Sequence, residues 1–303
     1  MKKRFSGIEI SSLVGHLEKW MKRPFASVRC RSLKCNIGPL AASLLVLLAA
    51  KCVPAAELKQ DTLRAWNTYM QGLDVEKANR IAGNMPFLSI DESTELRLRE
   101  KQNEVAITNH DPRKVPQGMI HHWIGTIFIP NETLDQALGL LTNYGDYCEI
   151  YKQVLKSASV LKRDGDNVEL KAVAEQKVMS VTAAVSTDNQ IHILRLDSKR
   201  AYITSNATSI QEIADYGQAD EHPFPENRRP GYVWRAAVNE RVEERDGGVY
   251  LELETVALSR GIPVEFRWLV KPVTDELPRK MMVEMLEDTR AALVNSENTA
   301  SNR

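Results

Sequence analysis

The feature that most constrains this chain is a hairpin. Tyr232 to Glu244 and Val249 to Leu258 both alternate apolar and polar side chains, and they are joined through Arg245, Asp246, Gly247 and Gly248. Asp-Gly suits a two-residue turn because both central positions need positive φ. With Asp246 and Gly247 as that turn, Arg241 falls opposite Glu252 and Val242 opposite Leu251. The first is read as an ion pair on a wet face, the second as an apolar contact on a buried one. By the same alternation Trp234, Ala236 and Val238 should point inward with Leu253, Thr255 and Ala257.

Upstream the pattern is consistent with that hairpin lying in a larger sheet. Ile120 to Ile129 is β-branched and aromatic and stops at Pro130, and Asn131 is placed to cap a helix carrying Leu134, Ala137, Leu138 and Leu141 on one face. A second short helix is expected over Asp146 to Leu155. Ser159 to Lys162, Val168 to Ala174, Met179 to Ser186, Ile191 to Leu196 and Ala201 to Ile210 then read as strands, with Val168, Leu170, Ala172 and Ala174 keeping the period of two. Before all of these, Glu57 to Gly72 forms an amphipathic lead helix, and Asp111 to Gly118 reads as a turn-rich linker. A final helix starts near Pro278 and runs to about Val294, with Met281, Met285, Thr289 and Leu293 at four-residue spacing. The expected divisions are therefore 1–56 as an export signal with an upstream extension, 57–117 as helical lead and linker, 118–294 as the principal domain and 295–303 as a disordered tail.

The export signal rests on charge. The first 56 of 303 residues hold ten Lys/Arg against two Asp/Glu, leaving 30 against 38 in the remainder. An acidic mature chain is a poor phosphate binder, so no nucleic-acid partner is expected. Lys22, Arg23, Arg29, Arg31 and Lys34 precede the uncharged apolar run Ile37 to Ala50, and Val53, Pro54 and Ala55 follow. Basic region, short apolar region and small-residue exit is the order of a secretory signal. Cleavage is expected near Ala55 or Ala56, with Met21 as a candidate start and a periplasmic or secreted product; an uncleaved anchor is the alternative. Cys30, Cys35 and Cys52 would be removed, so Cys148 would have no disulfide partner.

Strand, two short helices, several antiparallel strands and a long last helix is an α+β order in which a curved sheet can wrap one helix without sealing against it. The order and the segments Gly118 to Pro130, Pro230 to Arg235 and Gly248 to Pro263 resemble the START/polyketide-cyclase-like (SRPBCC) superfamily, whose helix-grip fold is shared with the birch-pollen-allergen group. The likeness is strongest to exported bacterial members of unassigned activity. It implies a curved antiparallel sheet around the C-terminal helix, with the lead helix as an extra element. It also implies a monomer that binds or carries a lipid or other hydrophobic small molecule, with transient membrane contact. Superfamily members include carriers, cyclases, hydrolases and receptors, so a cyclase- or hydrolase-type enzyme is the alternative reading. A second alternative is an envelope interaction module that docks through Trp66 and Tyr69 of the lead helix.

For the site, Trp234, Met281 and Met285 are expected to line the cavity, because Met adapts to varied apolar ligands. His122 and Arg260 are the polar candidates, Arg260 as a holder of an anionic head group. Neighbours on a strand face opposite ways, so His121 and His122 cannot share one metal. Glu252 and Glu254 share a face, where they are expected to be solvated opposite Arg241 and Asn239. No catalytic set, cofactor motif or metal spacing stands out, and Walker, Rossmann, HExxH and GxSxG patterns do not occur in the sequence.

Overall fold

The structure is a computed structural model that describes residues 58–94, 97, 104–178, 181–214, 216–223, 233–261 and 264–301. The export signal, the candidate start at Met21 and three of the cysteines lie outside the described residues, and among the latter no helix is long and apolar enough to cross a membrane.

Helix α1 spans Gln60–Ile81 and is followed by a 3-10 turn over Ser89–Glu92. Then come β1 (Ala106–Val115), β2 (Gly118–Pro130), α2 (Leu134–Leu141) and α3 (Tyr147–Ile150). Strands β3 (Leu155–Asp164), β4 (Asn167–Val178), β5 (Val181–Arg195), β6 (Arg200–Ala214), β7 (His222–Pro223), β8 (Val233–Arg245) and β9 (Gly248–Arg260) precede the last helix, α4 (Val264–Ser301). All pairings are antiparallel, in the order β1-β2-β9-β8-β6-β5-β4-β3, with β7 on β6. The sheet is curved and open.

The hairpin forms as its turn chemistry requires. Asp246 and Gly247 take φ of 55° and 79°, and Arg241 pairs with Glu252 and Val242 with Leu251. Gly248 serves a different need: a Cβ there would lie 2.3 Å from the Ile129 carbonyl oxygen, so only glycine lets β9 start this close to β2.

One face of the sheet carries the core. Trp123, Ile127 and Ile129 of β2, Val242 of β8 and Val249, Leu251 and Leu253 of β9 pack with Met282, Leu286 and Leu293 of α4 and with Leu134, Ala137 and Leu141 of α2. Gly125 lets α4 approach, because its missing side chain leaves the space filled by Met282 Sδ. The opposite, convex face is covered by the N-terminal segment. Trp66 of α1 packs with Ile120, Trp234, Val256 and Leu258, and Phe87, Leu88 and Ile90 pack with Tyr202 and Tyr250.

Several boundaries differ from the sequence expectation. The presumed linker is strand β1, so the sheet begins at Ala106; a register shift between His110 and Arg113 absorbs Asp111 and Pro112 on this edge strand, where a missing N–H costs no ladder bond. Thr133, not Asn131, caps α2 through a capping box with Gln136, while Asn131 takes a turn conformation at φ 65°. Helix α3 is only one turn long. Helix α4 extends at both ends beyond Pro278 and Val294, into the tail expected to be disordered. An interior proline removes one hydrogen bond, and propagation of an existing helix is cheap enough to continue past it when a packed stretch anchors the element.

Candidate ligand site

The concave face, between the sheet and α4, is mostly apolar, with a carboxylate set into it. Glu240 of β8 lies between Val238 and Val242 on that face, with Ile203 of β6 and Leu253 of β9 as its cross-strand neighbours. Its Oε2 is buried and accepts no hydrogen bond among the described residues. Burial alone pushes the carboxyl up to about 7.

Three tyrosines lie on the helical side of the core. Tyr144, Tyr147 and Tyr151 stack edge-on in a row, with ring centroids 5.0 Å and 5.1 Å apart. The Tyr147 hydroxyl donates to the Leu141 carbonyl at 2.6 Å and Tyr151 Oη lies 2.9 Å from Thr289 Oγ1, so both rings are fixed. Tyr144 Oη is buried and makes no hydrogen bond among the described residues. Burial first, and the Glu240 charge next, push Tyr144 up to about 12 and raise Tyr147 well above the ordinary tyrosine range.

Glu240 and Tyr147 are each only partly buried. Val238 and Met285 are likewise only partly buried while packing on the same core.

The convex face holds a different arrangement, a chain of buried charges beneath the N-terminal segment. Arg241 donates from Nε to Glu252 Oε1 at 2.6 Å and from Nη1 to Glu254 Oε2 at 3.2 Å. Glu252 also accepts from the backbone N–H groups of Ser89 and Ile90 and from Thr126 Oγ1. His122 Nε2 lies 2.8 Å from Glu254 Oε1, and His122 Nδ1 lies 2.8 Å from Tyr69 Oη. Burial would raise Glu254, but the hydrogen bond with His122 and the charge of Arg241 outweigh it and hold the carboxyl at about 2. Glu254 is therefore an acceptor only, which puts a proton on His122 Nε2 and, for a neutral ring, makes Nδ1 the acceptor of the Tyr69 hydroxyl. Both ring nitrogens are occupied, so His122 has none left to polarise a ligand.

Beside this chain is a cleft of about 560 Å³ lined in part by Glu76, Arg80, Ser89, Glu92, His110 and His122. The His110 ring stacks on His122 at 4.4 Å, and burial, then His122, lower its pKa. Buried Arg80 is held by Glu76, Glu92 and the Pro86 carbonyl. Among the described residues no group of His, Cys, Asp or Glu is arranged to hold a metal ion.

These positions revise the expected site. Trp234 faces α1 rather than α4, because a bulge between Val233 and Arg235 reverses its side. His122 is on the convex face; His121 has the opposite face, with Nε2 2.8 Å from Ser259 Oγ. Glu252 and Glu254 are buried, not solvated, at 0% and 3% exposure. Arg260 ends β9 opposite Gly118, six residues or about 20 Å along the strand from Glu254. Met285 packs at the edge of the core, its neighbour Met282 is fully inside it, and half-buried Met281 lies outside that cluster. Cys148 is half-buried, with no disulfide.

A curved antiparallel sheet holding a long C-terminal helix on its concave face, with two short helices after the second strand, decides the architecture. The fold is a helix-grip. No family model matches the chain, and no curated protein matches it. Solved helix-grip structures similar to it include human StAR-related lipid transfer protein 5, at 10% identity and a TM-score of 0.43 over 75% of this chain and 99% of that one. The Zhui aromatase/cyclase from Streptomyces sp. R1128 is similar at 10% identity and a TM-score of 0.41, over 57% and 93% of the two chains. A STAR-related lipid transfer protein from Xanthomonas axonopodis is similar at 12% identity and a TM-score of 0.38, over 62% and 98%.

Proposed function

We propose that this protein binds and ferries a lipid or other hydrophobic small molecule, held inside the grip between the concave sheet face and α4, outside the cytoplasm. The observation that carries the reading is Glu240, whose buried Oε2 finds no hydrogen-bond partner among the described residues although its neighbours on the sheet face are Val238, Val242, Ile203 and Leu253. Apolar walls with a few polar groups are what a small-molecule site requires. The location is supported by the basic-then-apolar order of residues 22–50. Against the enzyme alternative, His122, Glu254 and Arg260 are spread along the convex face, and His122 and Glu254 are already bonded to each other.

Native mass spectrometry of protein purified from its own host tests the binding claim. The expected result is a non-covalent adduct that disappears on organic extraction. Protein that arrives empty and takes up no fluorescent fatty acid or sterol would contradict it. N-terminal sequencing of the exported protein should begin near Ala55 or Ala56.

A further inference from the structure

This inference rests on the interior site just proposed and names the head group it receives. We propose that the ligand is a cationic amphiphile whose protonated amine sits between Glu240 and the row of Tyr144, Tyr147 and Tyr151. The geometry supplies the argument. Glu240 Oε2 is buried between Val238 and Val242 and is left without a hydrogen bond among the described residues. Tyr144 and Tyr147, which pack in the same core as Val238 and Val242, continue with Tyr151 in an edge-to-face row at 5.0 Å and 5.1 Å, and two of the rings are anchored through their hydroxyls. Aromatic faces attract cations, and a carboxylate beside them supplies the opposite charge. Tyr144 Oη, also unpartnered among the described residues, is placed to accept from an ammonium N–H.

The other signs fit less well. A fatty acid would bring a second carboxylate beside Glu240, and like charges in a dry site repel. An alcohol would leave the ionised carboxylate uncompensated. Among the described residues, Arg163 of β3 acts on Tyr144 and Asp288 of α4 acts on Tyr151, whereas burial is the one cause that shifts Glu240. A buried carboxylate with no cation bonded to it among the described residues becomes favourable when the ligand brings the cation.

The test uses the full chain and three probes of equal length, dodecylamine, dodecanol and dodecanoate, each displacing a fluorescent apolar probe at pH 8. Dodecylamine should bind at least about tenfold more tightly than dodecanol, and Glu240→Gln should abolish that advantage, read as the ratio of the two affinities within each protein. The thermal midpoint of the variant, no lower than that of the parent, verifies that it is folded. Equal affinity for amine and alcohol in the parent chain, or an amine advantage that survives in Glu240→Gln, overturns the assignment while the interior site stands. Failure of all three probes to displace overturns both.

Discussion

Glu240 weakens the fold that contains it. Its carboxyl holds its proton more tightly in the folded chain, at about 7, than at the ordinary value of 4.5 expected when unfolded. A raised carboxyl makes its full contribution to stability below the unfolded value and loses it as pH rises toward the folded one. Glu240→Gln should therefore stabilise the ligand-free protein by about 1–3 kcal/mol at pH 8 and flatten the stability profile between pH 4.5 and 7, measured by urea denaturation. Glu254 has the opposite sign. Depressed to about 2, it supports the fold above its unfolded value of 4.5 and loses that support as pH falls toward 2. Arg241→Ala, which strands two buried carboxylates, should cost about 3–5 kcal/mol in the same measurement. The strand register already contained part of this. Glu240 interrupts the inward row of Val238 and Val242, a signal the sequence reading passed over, whereas the Arg241–Glu252 pairing was correctly read. What alternation could not reveal is that an N-terminal segment would cover the outer face and turn solvated carboxylates into buried ones.

At the scale of elements, α1 completes the domain it precedes. Trp66, 8% exposed, packs on the convex sheet with Ile120 and Trp234, and Thr62 Oγ1 donates to the Pro116 carbonyl at 2.6 Å. This corrects the reading of Trp66 and Tyr69 as an external docking face, since the side chains that would dock are already used inside the chain. Trp66→Ala should cost about 3–5 kcal/mol by chemical denaturation. Gly248→Ala should also destabilise, by about 1–3 kcal/mol, because the obstructing atoms include the Ile129 carbonyl oxygen and Pro130 Cα, which cannot rotate aside. Element identities were largely legible because period and turn chemistry are local, as in β8, β9 and α2. Strand β1 was missed because Asp111, Pro112 and Gln117 carry turn signals, and only the neighbouring β2 makes a bulged edge strand of them. Trp234 was assigned the wrong face for a related reason: one bulge reverses every inference from parity beyond it.

For the whole molecule, the two faces of one sheet do different work. The convex face is locked to the N-terminal segment by ions and hydrogen bonds, including the two-pronged Arg245–Asp91 contact at 2.8 Å. The concave face pairs an apolar core with a carboxyl whose Oε2 has no hydrogen bond among the described residues, and with a row of aromatic rings. The most direct test is methyl-selective NMR of the protein with a bound aliphatic probe. The account predicts intermolecular NOEs from the probe to the methyl groups of Met285 and Val238, beside Glu240. NOEs confined to Met85 and Ile124, which line the outer cleft, would contradict it.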